Sequence, residues 1–459
     1  MYACACAIWA KPIDDVRALY AEGRYREAAE ACAAILKKTP RDGSANYYLG
    51  ASRYALGEYD AAVAPLLAAE SRGVADASRM LAAIDMNHYR FEDADEHIDM
   101  WEKQLQKSKK AVPQELTEMR SRVILAKNML DRVEKIEVID SITVDSASFF
   151  KFYKLSAAAG RLLDSSALPP QYSRQNPTMA YRPESGTEII WAMPDGDGVK
   201  KLVSAGILDD GTMQQPAPLG DDLGEGGDAD FPFLMPDGVT LYFANNGENS
   251  IGGYDIFLSR RSSDGSALQP QNIGMPYNSP YDDYMLAIDE ATGLGWWATD
   301  RNHIPGKVTI YTFIPNQTRV NYQPDEDGIA DRARLTSIAD THVPGKDYAS
   351  LLAALETLGT ADGGTDRQEP DFALSMGNGR VYTSLSQFSD PQARQAMQQV
   401  LEARAELEGM RARLAALRRT YAAGDTSVAD QIISLEKRVL AAGPILRRLT
   451  NTAIRLEND

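Results

Sequence analysis

A 34-residue spacing in the first third of the chain constrains its fold more than any other feature. The segment AEGRYREAAEACAAIL, starting at Ala21, aligns with ALGEYDAAVAPLLAAE, starting at Ala55. Gly23, Tyr25 and Ala28 then fall on Gly57, Tyr59 and Ala62, each pair 34 residues apart. A period of this size marks one small unit that cannot bury its apolar face alone and must stack on its neighbours. Small Ala28, Gly50 and Ala62 allow two antiparallel helices to approach closely, with Tyr25 and Tyr59 wedged between them. Leu49-Gly50 opens the second unit and Thr39-Pro40 ends the first. A weaker third unit runs from about Ala77 to Gln106, with Phe91 and Ala94 in the Tyr and Ala positions and no turn glycine. A helix over 113–133, carrying Leu116, Met119, Val123, Ala126 and Leu130 on one face, is expected to cap the stack.

Residues 13–107 therefore resemble tetratricopeptide repeats, in which spacing and residue type agree over two units. The resemblance implies a helical array whose concave groove takes a peptide or a partner protein. A purely structural helical spacer is the other reading.

After Ile136 the helical spacing gives way to short β-rich runs separated by Gly, Pro and Asp. In DFPFLMPDGVTLYFANNGENSIGGYDIFLSRR a strand reaches the tight turn Pro236-Asp237-Gly238, and Leu241-Tyr242-Phe243 returns from it. A loop ending at Gly252-Gly253 leads into a third strand, Tyr254-Asp255-Ile256-Phe257-Leu258. Similar hairpins are expected around Ser185-Gly186, Thr292-Gly293 and Asn378-Gly379, and a strand pair over 136–155. About five blades of a β-propeller would result, with four or six as alternatives.

Residues 231–258 resemble the WD40-like propeller repeat of TolB and related bacterial envelope proteins, through Pro236, Asp237, Gly238, Gly252, Gly253 and Asp255. The combination of array and propeller is similar to envelope proteins associated with type IX secretion. Those often end in an OmpA-like peptidoglycan-binding domain, which this sequence does not show. Ile329 to Leu358 reads as a helical insertion. The ring is expected to close with strands from both ends of the middle region, 136–155 and 371–383.

Asp390-Pro391 is a good helix start, and Val400, Leu407, Leu414 and Tyr421 recur every seven residues. Gly424-Asp425 breaks the run. A second helix with Val428, Ile432, Leu435, Val439 and Leu440 meets Gly443-Pro444, which should kink or split it. An intramolecular antiparallel hairpin is the simplest account, and an oligomerisation or docking device the other. The expected organisation is multidomain α and β. Residues 1–10 are read as a signal-peptide remnant, 11–134 as the tetratricopeptide-like array and 135–388 as the propeller with its insertion near 329–358. Residues 389–459 are the coiled-coil hairpin.

Composition narrows the function. A formal net charge of −17 disfavours nucleic acid as a partner. Cys4, Cys6 and Cys32 cannot make a disulfide framework, and Cys32 falls on an apolar helix face. MYACACAIWA, with Ile8 and Ala10 suited to a signal-peptidase site, implies export to the periplasm or the periplasmic face of the outer membrane. A frayed apolar terminus is the alternative. No stretch approaches the length needed to span a bilayer.

Catalytic constellations are sparse. Ser250 in GENSIGG has no strand-to-helix elbow after it, and His88, His97, His303 and His342 lack metal-ligand spacing. His88 and His97 are taken as helix-surface residues. Asp325, Asp327, Gly328 and Asp331 resemble the start of a calcium loop, with Thr336 where its closing Glu would stand. A solvated linker is the plainer account. Asp221, Asp222, Glu225, Asp228 and Asp230 form a second acidic loop. The sequence thus points to a non-catalytic protein-binding scaffold of a Gram-negative envelope, without cofactor, whose partners are envelope or outer-membrane proteins. The alternative is a glycan-binding propeller or carboxylate glycosidase using Trp191, Trp296 and Trp297 as stacking platforms.

Overall fold

The computed structural model describes residues 12–175, 177–208, 210–224, 226–262, 266–324, 326–349, 351–353, 372, 374–376, 381–382, 384–422 and 425–458. The chain divides into two compact units, Met1–Arg132 and Val133–Asp459.

The first unit is helical. Helices α1 (Pro12–Ala21) and α2 (Tyr25–Lys38), α3 (Gly43–Ala55) and α4 (Tyr59–Glu70), and α5 (Ala75–Asn87) and α6 (Phe91–Lys107) form three successive pairs, followed by α7 (Gln114–Leu130). The turn inside each pair needs one left-handed residue. Gly23 and Gly57 supply it at φ +75° and +76°, and in the third pair Tyr89 takes it at φ +60°. The missing turn glycine thus left the geometry unchanged, at the cost of a side chain in a region that disfavours one. Gly50 sits against α4, where an added Cβ would lie 2.6 Å from Leu66 Cγ. Ala28, Ala62 and Ala94 are fully buried on the opposing helices, and Cys32 is buried in the core.

The second unit is built mainly of antiparallel sheets. After β1 (Glu137–Asp145) come β2 (Arg161–Leu163), the short helix α8 (Pro170–Ser173), β3 (Ala180–Arg182), β4 (Glu188–Pro194), β5 (Lys200–Gly206) and β6 (Ala217–Pro218). Strands β2 to β6 form the first sheet in chain order. The second holds β7 (Ala229–Leu234), β8 (Thr240–Asn245), β9 (Asp255–Arg260) and β10 (Gln271–Asn272). The third holds β11 (Asp283–Asp289), β12 (Leu294–Thr299) and β13 (Lys307–Ile314), with β1 as its outermost strand.

The three hairpins expected around Gly186, Gly238 and Gly293 are all present, each glycine at positive φ. Their pairs Tyr181↔Ile190, Phe233↔Tyr242 and Ala287↔Trp296 recur at spacings of 52 and 54 residues. The second and third hairpins share a bulge at the same register, with Phe231 at φ +56° and Met285 at φ +55°. Side chains from all three sheets meet in one core around Tyr181, Phe233, Phe243, Met285 and Trp296, plugged by Phe149 and Phe150.

Several expectations are corrected. The run 136–155 is one strand followed by a 3-10 turn at Phe149–Phe152, not a strand pair. Strand β1 pairs with β13 from Glu137↔Ile314 to Asp145↔Lys307. Among the described residues the far segment contributes only β14 (Leu374–Ser375) and β15 (Val381–Tyr382), which pair with each other. Phe372, Leu374, Met376 and Tyr382 pack on the C-terminal helices rather than on a sheet. The Asn378-Gly379 turn lies outside the described residues. Three sheets and this two-stranded ladder therefore stand where about five blades were expected, and among the described residues no sheet closes on itself. Of the described residues of the insertion, α9 (Ile329–Arg334), the 3-10 turn Ile338–Thr341 and residues 349 and 351–353 are helical, with loops between them; residues 350 and 354–358 lie outside the described set. Its Thr341 Oγ1 accepts from Val138 N at 2.9 Å, and Val138 O is 2.9 Å from His342 Nε2. These contacts cover the start of the free edge of β1.

The hairpin is α10 (Pro391–Ala422) and α11 (Ala429–Asn458), capped where Asp390 Oδ1 accepts from Gln392 N and Ala393 N at 2.8 Å. Val400, Leu407, Leu414 and Leu435 are buried along its seam, while Tyr421 is exposed. Gly424 lies outside the described residues. Helix α11 is not split at Pro444. Leu446, Leu449 and Ala453 beyond it pack on the base of the hairpin, and that packing outweighs one lost N–H bond. Expected as a separate domain, the hairpin falls within the second unit, where Arg411 Nη1 donates to Glu184 Oε1 at 2.6 Å.

Candidate functional site

In the helical unit the first helix of each pair brings aromatic and charged side chains into one row. Tyr20 of α1 lies edge-on to Tyr48 of α3 at 5.5 Å between ring centroids, and Tyr48 to Tyr47 at 5.0 Å. Tyr47 Oη donates to Asp76 Oδ2 of α5 at 2.5 Å. Asp76 also accepts from Arg79 Nε at 2.6 Å, and Arg79 Nη1 reaches Glu115 of α7 at 3.3 Å. The row thus crosses α1, α3, α5 and α7, and its tyrosines are half-buried. Burial first, then neighbouring Tyr25 and Asp76, holds the Tyr20 hydroxyl above its ordinary pKa. Burial and the bond to Asp76 do the same for Tyr47. These hydroxyls stay neutral, so the row offers ring faces and hydroxyls beside one guanidinium and two carboxylates. Such a surface suits hydrogen bonding to an extended chain.

The repeat-signature residues Gly23, Tyr25, Ala28, Leu49, Gly50, Gly57, Tyr59 and Ala62 build this frame and do not all face one ligand. The row itself was missed, because Tyr47, Tyr48, Asp76 and Arg79 fall between the repeat positions. A tyrosine pair on a first helix was its only sequence signal.

His97 is not a plain surface residue. Its Nδ1 lies 2.7 Å from Glu70 Oε1 and its Nε2 3.5 Å from Asp85 Oδ2, while Asp85 also accepts from Arg90 Nε at 2.8 Å. Gln104 Nε2 donates to the Glu70 carbonyl at 3.1 Å. Stacking of α4, α5 and α6 creates this cluster. His88, likewise expected on the surface, is half-buried and lies 3.7 Å from Asp60.

The sheet-signature residues are structural. Asp237 Oδ1 accepts from Val239 N and Thr240 N at 2.8 Å, closing the β7–β8 turn with Gly238 at φ +70°. A Cβ on Gly252 would run into the Tyr281 carbonyl, and one on Gly253 into the Asp282 carboxylate. Asp255 is buried and accepts from Ile251 N, Gly252 N and Asn272 Nδ2. Ser250 is buried too, its hydroxyl donating to the Asn245 carbonyl at 2.8 Å.

The described carboxylates of the acidic loop are tied to neighbours. Asp230 is buried and accepts from Lys200 Nζ at 2.7 Å and Thr178 Oγ1 at 2.8 Å, and Asp228 accepts from Lys200 N. Asp221–Gly224 is a 3-10 turn, and Glu225 lies outside the described residues. Of the calcium candidates, Asp325 lies outside the described residues, Asp327 is exposed, and Asp331 accepts from Thr336 Oγ1 at 3.2 Å. Among the described residues no group of three or more His, Cys, Asp or Glu side chains is arranged to hold a metal ion. Trp191, Trp296 and Trp297 are 0, 2 and 0 % exposed, so none presents a face on which a sugar could stack.

No protein-family model, curated protein or solved structure matches the chain. Among the described residues no helix is long and apolar enough to cross a membrane.

Proposed function

We propose that this protein is a non-catalytic scaffold that binds other proteins in a Gram-negative envelope assembly, on its periplasmic side. The observation that carries the reading is the row from half-buried Tyr20 through Tyr47, Tyr48, Asp76 and Arg79 to exposed Glu115. In this reading the helical unit is a tetratricopeptide array and the row is its peptide-binding groove. The three sheets, recurring at 52 and 54 residues with β1 completing the last, are blades of a WD40-like propeller. The Pro236-Asp237-Gly238 turn and the Gly252-Gly253 loop support kinship with TolB-like envelope proteins, and the pairing of array with propeller supports a place in a secretion-associated assembly.

The test is affinity purification from envelope extracts with the wild-type chain and with Tyr48→Ala. A stoichiometric protein partner is expected with the first and should be depleted at least several-fold with the second. Repeated recovery of none, or a partner indifferent to Tyr48, would remove the reading. Export is tested by N-terminal sequencing of envelope material, where trimming near Ala10 is expected and an intact Met1 would count against it.

A further inference from the structure

The outer half of the third sheet carries an open hollow. Its inner strand, β11, is packed against β7, β8 and β9, and Tyr311 and Phe313 of β13 share a core with Ile256 of β9. Ile310 of β13 and Trp296 of β12 floor a cleft of about 250 Å³, with Ile142 and Asp140 of β1 along one side. The segment after β1 makes the other side. Phe149 and Phe150 anchor it in the shared core, while Phe152 and Lys154 line the cleft.

Two observations mark this hollow as more than a packing fault. Ile142 and Phe152 are 38 and 44 % exposed over the same opening, although apolar side chains set together normally bury each other. Asp140 and Lys154 are both half-buried, yet neither side chain makes a hydrogen bond or ion pair with any described residue. One charge of each sign thus lines a single apolar hollow, available to pair with a ligand. Pockets for drug-sized molecules run to roughly 300–1,000 Å³, so the occupant is smaller than that.

We propose that the cleft binds a small zwitterion with one apolar side chain, a free aliphatic or aromatic amino acid. Its ammonium group meets Asp140, its carboxylate meets Lys154, and its side chain lies between the exposed Ile142 and Phe152. The cleft belongs to the second unit and the tyrosine row to the first, so the fate of the proposal is independent of the scaffold reading.

Calorimetry on the full chain tests the proposal, with L-phenylalanine and L-leucine as probes. Saturable binding of at least one is expected. N-acetyl-L-phenylalanine, which lacks the ammonium, and L-phenylalaninamide, which lacks the carboxylate, should each bind about tenfold more weakly than phenylalanine, the size of one charge-assisted bond. In K154Q, phenylalanine should weaken about tenfold while phenylalaninamide keeps its wild-type affinity. In D140N the N-acetyl compound should be the indifferent one. The analogues test the idea on the wild-type chain even where a variant folds poorly. No saturable binding of either amino acid at millimolar concentration overturns the proposal, and so do equal affinities for phenylalanine and both blocked analogues.

Discussion

Arg301 Nη2 lies 2.8 Å from Asp283 Oδ1 in a contact where the two side chains are only 4 and 0 % exposed. The same nitrogen donates to the Tyr277 carbonyl at 2.7 Å, and Asp283 also accepts from Ser279 N at 2.7 Å. The pair ties the start of β11 to the loop after β12. Removing one partner strands the other charge in a dry site, so Arg301→Met should cost about 3–5 kcal/mol. Arg301→Lys keeps the charge without the planar fork and should cost less. Urea unfolding followed by tryptophan fluorescence measures both. A loss under about 1 kcal/mol for Arg301→Met would show the pair to be dispensable.

Asp255 should give the second unit a pH slope. Burial pushes its carboxyl up from 3.8 to about 8, with Asp283 adding to the rise and hydrogen bonds from Ile251 N, Asn272 Nδ2 and Gly252 N opposing it. The folded state therefore holds a proton that the unfolded chain has released. That contribution is fully present below 3.8 and is lost as pH rises through about 8. The urea midpoint should fall between pH 5 and pH 8.5, and Asp255→Asn should flatten that fall. An unchanged slope in the variant would assign the effect elsewhere.

His97 acts in the helical unit with the same sign. Desolvation disfavours its charged form, but Glu70 and Asp85 outweigh that and raise its pKa above 6.5. Its stabilisation is full below the unfolded value and disappears as pH climbs through the folded one. With four histidines in the chain, proton NMR can follow each ring. His97 should titrate above 6.5 and His303, lowered by burial, below it. His97→Gln should leave helical stability insensitive to pH across that interval.

Gly50 and Gly57 should fail for different reasons. At Gly50 an added methyl meets Leu66 Cγ at 2.6 Å, so Gly50→Ala should cost about 1–3 kcal/mol by overpacking. Gly57 has open space around it but sits at φ +76°, so Gly57→Ala should cost about 1 kcal/mol from backbone strain. Thermal melting ranks the two. A larger loss at Gly57 would contradict the packing account.

Deleting residues 133–145 should leave the backbone edge of β13 bare. The shortened chain is expected to associate during size-exclusion chromatography, whereas deleting 371–459 should leave the three sheets intact. If the second deletion melts the sheets and the first does not, the strand assignment is wrong.

Where local chemistry decides the geometry, the sequence was readable. Small residues at Gly50 and Ala62 announce helices in close approach, and turn glycines at 186, 238 and 293 announce hairpins. Pairing of β1 with β13 left no local mark, since the partners are 162 residues apart at Asp145 and Lys307. Tyr89 hid a turn because packing imposed a left-handed conformation on a residue that disfavours it. Pro444 misled because packing on both sides of it outweighs a local propensity. In the candidate site, His97 looked ordinary because its carboxylates come from two other helices. The tyrosine row escaped because only the stacking of α1, α3, α5 and α7 aligns it.

The late pairing of β1 also sets an order of events at the ribosome. Strand β1 leaves the exit tunnel before any of the three sheets, and its partner is made only after all the others. Throughout that interval a nascent edge strand waits for a neighbour that does not yet exist, open to capture by another chain. Closure of the third sheet must therefore wait until β13 has emerged, 162 residues after Asp145 at the Lys307 pair, and a holding chaperone would find a useful target in residues 137–145.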